Sequence, residues 1–79
     1  MPKYNVTLPK GMTVQDWAFS ITLDLSRVGT IGVLADGNEW QKWALGVVQI
    51  PELSQLSPPN PMEFNNWEEW ADRFVNAVS

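Results

Sequence analysis

The sequence predicts a mainly α-helical protein with three short amphipathic helices, at about residues 13–25, 38–49 and 62–77. Three observations predict this fold class. Apolar residues recur at spacings of three and four in each stretch, as they do on one face of a helix. A residue that can cap a helix precedes each stretch. A Trp-x-x-Trp-Ala motif occurs in the second and third stretches and more faintly in the first.

The third stretch has the clearest pattern. Asn60 can cap a helix, and Pro61 is suited to the first helical position. Four charged residues take the side of the helix opposite the apolar face: Glu68, Glu69, Asp72 and Arg73. The apolar face is formed by residues at helical spacing: Phe64, Trp67, Ala71, Phe74, Val75 and Val78.

The first stretch is compatible with two structures. Thr13 and Asp16 have the spacing of a capping box, which predicts that a helix begins here. From Phe19 to Ser26, however, apolar and polar residues also alternate, as they do in a strand. We favour the helix because the start signal and the likeness to the third stretch agree. The alternating apolar residues are Phe19, Ile21, Leu23 and Leu25.

The second helix and its connections follow from caps, glycines and prolines. Asn38 can cap the helix, and Pro51 ends its pattern. Residues 26–37 contain three glycines and are predicted to form a connector, with or without one short strand. Residues 51–61 contain four of the six prolines, so we expect a largely extended strap.

The N-terminal residues 1–11 form a separate segment. Tyr4, Val6 and Leu8 alternate with polar residues, and a Pro-Lys-Gly sequence follows. This pattern predicts an extended arm or a short edge strand. The remaining residues, 12–79, form one small Trp-rich helical domain.

Composition limits the function. The 79 residues include no Cys and no His, so disulfides, the usual zinc and haem ligands and the common hydrolase nucleophile–base pairs are missing, and we expect no cofactor. The net charge of −4 comes without a basic cluster, so nucleic acid is not an expected partner. No apolar run approaches the roughly 20 residues that span a bilayer, and the N-terminus lacks the apolar core of a signal peptide. We therefore expect no membrane association.

The five tryptophans divide into two groups on a helical wheel. Trp67 lies near the centre of its apolar face, whereas Trp70 is displaced from it, and Trp43 is similarly displaced beside Trp40. One interpretation is that the second Trp of each pair covers a helix edge within the chain. The other is that Trp43 and Trp70 stay partly exposed and anchor a partner. The interface candidates are Tyr4, Trp43, Leu53, Leu56 and Trp70, and the expected core residues are Trp17, Trp40, Phe64, Trp67 and Phe74.

Other functional patterns are weak. The acidic residues Glu63, Glu68, Glu69 and Asp72 are the one candidate acid–base or metal cluster, but a solvated helix face explains them better. Two Trp about twenty residues apart also suggest a WW module, although helical patterns surround them. Stacking of Trp on sugars would need convergent polar groups that the sequence does not single out. The chain is therefore not expected to be an enzyme.

Two motifs carry a resemblance to a known class of proteins. The first is Leu8-Pro9-x-Gly11-Met12-x-Val14-x-Asp16-Trp17-Ala18, and the second is Asn60-Pro61 followed by Phe64-x-x-Trp67-x-x-Trp70-Ala71. With these motifs the chain resembles small virion proteins of tailed bacteriophages. The resemblance implies that Trp17, Trp40, Trp43, Phe64, Trp67 and Trp70 form a structural signature, and it implies no catalytic residue. Ser20 departs from the pattern, because it stands where a second Trp would be expected in the first repeat.

The resemblance and the composition together lead to a functional expectation. The chain is expected to be a non-enzymatic structural component of a tailed-phage virion, and capsid decoration is favoured. A neck or tail accessory protein is one alternative, and a phage-encoded inhibitor of a host protein is another. Its expected partners are other virion proteins, with several copies or a homo-oligomer on the particle. Its expected location is the virion, and the host cytoplasm during assembly.

Overall fold

The computed structural model describes residues 4–79, and the fold is mainly helical, as predicted. Residues 4–79 contain no strand. None of the helices in this part of the chain is long and apolar enough to cross a bilayer. The described residues form four α-helices, α1 (Val14–Asp24), α2 (Trp40–Val48), α3 (Pro51–Ser54) and α4 (Trp67–Val78), and two 3-10 turns, at Gly37–Glu39 and Pro61–Glu63.

Helix α1 forms where the capping signal predicted it. The Thr13 hydroxyl oxygen accepts a hydrogen bond from the Asp16 backbone N–H at 3.1 Å, which satisfies one of the free donors at the helix start. Trp17, Ala18 and Ile21 are buried by the helical arrangement. The competing strand interpretation of this stretch is therefore wrong.

Helix α2 begins later than predicted, at Trp40, and no side chain caps its start. The predicted capping role of Asn38 is wrong: Asp36 caps the 3-10 turn that precedes α2, and its Oδ1 accepts a hydrogen bond from the Asn38 backbone N–H at 2.9 Å. The chain then makes the 3-10 turn Gly37–Glu39 before the α-helix starts at Trp40. Asp and Asn are both favoured as caps, so the sequence left two capping positions open, at Asp36 and at Asn38.

The predicted proline strap at 51–61 is partly helical. Pro51 occupies the first position of α3, where its missing N–H costs nothing. Ile50 is extended and precedes the first residue of α3. Its carbonyl oxygen accepts hydrogen bonds from the backbone N–H groups of Leu53 and Ser54, which begins the helix. After α3, Ser57 adopts a positive φ of 55°. The prediction of a largely extended strap is therefore wrong for its first four residues, Pro51–Ser54.

The predicted helix at 62–77 is divided. Asn60 caps only the 3-10 turn, through a 3.0 Å bond from the Met62 N–H to its Oδ1. Phe64 is extended, with φ −116° and ψ 140°, and the Gln41 side-chain amide donates to its carbonyl oxygen at 2.7 Å. Asn66 then caps α4, with its Oδ1 accepting from the Glu68 N–H at 2.8 Å. This second cap explains why α4 starts at Trp67.

We expect Asn66→Ala to lower the free energy of unfolding by about 1 kcal/mol, because the cap bond to α4 is lost. Urea unfolding followed by far-UV circular dichroism measures this change. Asn65→Ala is the matched control, since Asn65 is the exposed neighbour and caps no helix. A loss of stability in Asn65→Ala equal to that in Asn66→Ala would contradict the assignment of the cap.

The N-terminal arm, as far as it is described, packs against the helices. Residues 1–3 of the predicted arm lie outside the described residues. Tyr4 donates its backbone N–H to the Val78 carbonyl at 3.0 Å, and Thr7 donates both its N–H and its hydroxyl to the Asp24 carboxylate. These bonds join the arm to α4 and α1. No strand forms, so the edge-strand alternative is wrong for residues 4–11.

A tight turn brings the arm to the start of α1. The Met12 N–H bonds the Pro9 carbonyl at 3.2 Å, and Gly11 has a φ of +75°. A positive φ at the third position of such a turn is strained for residues with a side chain, which explains the glycine.

The core lies where the four helices, the arm and the glycine-containing connector meet. No polar or charged residue among residues 4–79 is classed as buried, so this core is apolar throughout. It consists of Val6, Trp17, Ile21, Leu25, Ile31, Ala44, Val47, Leu53, Trp70, Ala71, Phe74, Val75 and Val78.

Candidate interaction surface

Trp17 is at the centre of an aromatic cluster. Its side chain is completely buried, and its ring centroid lies 5.8–6.1 Å from those of four other aromatic residues. Three of the four pairs are edge-to-face, an arrangement that aromatic rings favour. The four neighbours are Trp43, Trp67, Trp70 and Phe74.

Three indole N–H groups tie loops to this cluster. Trp17 donates to the Thr7 carbonyl at 2.7 Å, in the arm. Trp43 donates to the Gly32 carbonyl at 2.8 Å, in the connector. Trp70 donates to the Pro59 carbonyl at 2.9 Å, before the second 3-10 turn. The tryptophans therefore orient three segments that have no regular secondary structure of their own.

Two predicted interface residues lie inside the molecule. Trp70 and Leu53 are completely buried, so the prediction that Trp70 stays partly exposed is wrong. Phe64 had been counted on the buried face, but it lies outside α4. Trp67 is the first residue of α4, and the buried residues of the helix begin one turn later, at Trp70: Trp70, Ala71, Phe74, Val75 and Val78.

The other interface candidates are half-buried. Tyr4, Trp43 and Leu56 pack against the core and keep part of their surface in solvent. Their role in binding stays a prediction.

The expected core residues fall into two groups. Trp17 and Phe74 are completely buried. Trp40, Phe64 and Trp67 are half-buried and pack against the core from outside. Trp67 thus occupies the partly exposed position that had been expected for Trp70.

A groove runs between the glycine-containing connector and α2. It has a volume of about 390 Å³. Trp43 forms part of its wall, and its bond to Gly32 holds the connector in place. Gly32 and Gly46 both line the groove, and a Cβ atom added at either would meet no atom within 4 Å. A side chain at either position would therefore extend into open space.

The chemistry of the groove is mixed. Val33, which is 91% exposed, lies at its edge and offers an apolar surface to solvent. Asp36, Glu39 and Lys42 add two acidic groups and one basic group to its lining. A surface of this kind can bind a protein segment with both apolar and polar side chains.

Sequence reasoning missed the most exposed apolar residues. Val33 lies in the connector, and Phe19 and Leu23 are 67% and 61% exposed on α1. The alternation that suggested a strand is the signal that could have identified the two residues of α1. In a helix, this alternation leaves some of its apolar residues opposite the core.

The acidic residues do not form a site. Glu63, Glu68, Glu69 and Asp72 are all exposed. Within residues 4–79, no three metal-ligating acidic side chains come together in a possible metal site. The absence of enzymatic activity stays a prediction.

A comparison of the chain with protein-family models, curated proteins and solved structures finds no significant match. The resemblance to phage virion proteins therefore depends on the sequence motifs.

Proposed function

We propose that this chain is a non-enzymatic structural component of a tailed-phage particle and that it serves there as a capsid decoration protein. The structural observation that supports this proposal best is the groove beside Trp43, with the exposed Val33 at its edge. The sequence resemblance supplies the phage context. The particle surface would present a segment of a coat protein to this groove, repeated over many subunits.

The groove is suited to binding because its walls are already held in position. The Trp43 N–H fixes the connector at Gly32, and Trp43 itself contacts Trp17 and Trp70 in the aromatic cluster. A preformed surface loses little conformational entropy when it binds. Each chain can then bind its coat-protein segment weakly, because many such contacts on one particle together stabilise the assembly.

Decoration is preferred to the alternatives because a small acidic domain suits a repetitive binding role. Neck or tail accessory proteins would be present in few copies. An inhibitor of a host protein could use the same groove but would not be carried in the particle. Copy number and location therefore distinguish the three.

The decisive measurement is quantitative mass spectrometry of purified particles of the phage that encodes this chain. We expect the chain in numbers comparable to the major coat protein. A few copies per particle would favour a neck or tail role instead. Detection in infected-cell lysate but not in particles would contradict a virion role and favour the inhibitor.

The same measurement tests the groove. Particles grown with Val33→Asp should carry about tenfold fewer copies of the chain, because the substitution places a charge at the apolar edge of the groove. Met62→Asp is the matched control, since Met62 is also apolar and 56% exposed but does not line this groove. Equal incorporation of both variants at the wild-type level would show that the groove is not the contact.

A further inference from the structure

The outer face of α1 carries two large apolar side chains in solvent. Phe19 is 67% exposed and Leu23 is 61% exposed. They are four residues apart, so they lie one above the other on the same side of the helix. The opposite side of α1 is buried through Trp17 and Ile21.

A charged residue lies at each end of this apolar pair. Asp16 precedes Phe19 by three residues and is in the first turn of α1. Arg27 follows Leu23 by four residues, in the turn directly after the helix. Both charged residues are exposed. In chain order, this side of α1 therefore carries an acidic group and two apolar groups, and an exposed basic group follows the end of the helix. The carboxylate of Asp24, between Leu23 and Arg27, accepts two hydrogen bonds from Thr7.

We propose that this face binds the same face of a second copy of the chain, with the two α1 helices antiparallel. In that arrangement Phe19 lies against the partner's Leu23, and Asp16 lies near the partner's Arg27. A twofold axis makes each of these contacts occur twice. A parallel arrangement would instead bring Asp16 close to the partner's Asp16, and like charges repel.

The order of the charges identifies the binding partner of this face as a second copy of the chain. An acidic group at one end and a basic group at the other make the face complementary to itself when it is reversed. The antiparallel arrangement also brings the positive N-terminal end of each helix near the negative C-terminal end of the other.

The dimer is expected to be weak. Leu8, which is 58% exposed, follows Thr7, which binds Asp24 of α1, so it adds exposed apolar surface near this helix. Three such side chains expose on the order of 300 Å² in each copy, compared with about 800 Å² per partner in a standard interface. Association should therefore depend on concentration.

Sedimentation velocity of the full chain tests the dimer, over concentrations from about 10 μM to about 1 mM. We expect the sedimentation coefficient of the wild type to rise from that of a monomer towards that of a dimer. Asp16→Arg alone and Arg27→Asp alone should each stay monomeric, because each places like charges at both ends of the interface. An equimolar mixture of the two variants should dimerise, because opposite charges then meet at both ends.

Two further variants test the apolar contact. The double variant Phe19→Gln and Leu23→Gln should stay monomeric, and Val33→Ser, which changes an exposed apolar residue elsewhere, should dimerise like the wild type. Far-UV circular dichroism confirms that each variant is folded.

A wild type that is monomeric at every concentration overturns the proposal. So does a mixture of charge variants that fails to associate, or a double glutamine variant that still dimerises. The interface shares no residue with the Trp43 groove, so these outcomes leave the decoration proposal unaffected.

Discussion

Trp17→Ala is expected to lower the free energy of unfolding by about 3–5 kcal/mol, since it removes a completely buried indole from the middle of the aromatic cluster. A chain of this length has a total stability of roughly 4–12 kcal/mol, at about 0.05–0.15 kcal/mol per residue. The variant should therefore be largely or wholly unfolded under conditions in which the wild type is folded. Far-UV circular dichroism during urea unfolding measures the change without depending on tryptophan fluorescence.

Two substitutions separate the causes of this loss. Trp17→Phe keeps an aromatic ring but removes the N–H that bonds the Thr7 carbonyl, so we expect a smaller loss of about 1–3 kcal/mol. Phe19→Ala removes an exposed ring from the same helix and should change the stability of the monomer by no more than about 0.5 kcal/mol. If Trp17→Ala were as stable as Phe19→Ala, the central position of Trp17 in the core would be wrong.

The fold class was predictable because helical spacing and caps are local features. The Thr13 hydroxyl and the Asp16 N–H are three residues apart, so the start of α1 could be read from the sequence directly. The start of α4 could not. Asn60 and Asn66 both cap helical turns, and the extended Phe64 between them is bound by Gln41, 23 residues away in the sequence, a contact that no local pattern indicates.

The ranking of the tryptophans failed for a related reason. A helical wheel gives the direction of each side chain but not its position along the helix, and so it does not show that Trp67 is the first residue of α4. Trp70 lies about one turn further into the helix and is completely buried, whereas Trp67 at the helix start is half-buried. The indole hydrogen bonds join residues ten or eleven positions apart, through loops that have no repeating geometry. Nothing in the spacing of the residues indicates these bonds.

The exposed surface was the least predictable part. Val33 stands in a connector where composition indicates only a turn-rich segment. The groove depends on how that connector is held by Trp43, which is a tertiary contact. Phe19 and Leu23 become recognisable as an exposed pair only when Trp17 and Ile21 establish which side of α1 is buried.

Trp70→Ala is expected to be about as destabilising as Trp17→Ala, with a loss of about 3–5 kcal/mol. The Trp70 ring stacks on Phe74 with centroids 5.0 Å apart, and it also contacts Trp40 and Trp43. Its N–H bonds the Pro59 carbonyl, so the substitution also releases the segment that leads into α4. Urea unfolding by circular dichroism measures the loss, and Trp70→Phe should recover part of it.

Trp67→Ala is the matched comparison, because Trp67 is three residues away on the same helix and half-buried. It contacts Trp17 but lies at the helix start, so we expect a loss of only about 1–2 kcal/mol. The larger effect at Trp70 follows from its complete burial, since removing a fully enclosed ring leaves a cavity, whereas solvent can occupy much of the space left by Trp67. The reverse order of the two variants would mean that α4 presents its other edge to the core. Trp70, not Trp67, would then be the residue free to bind a partner.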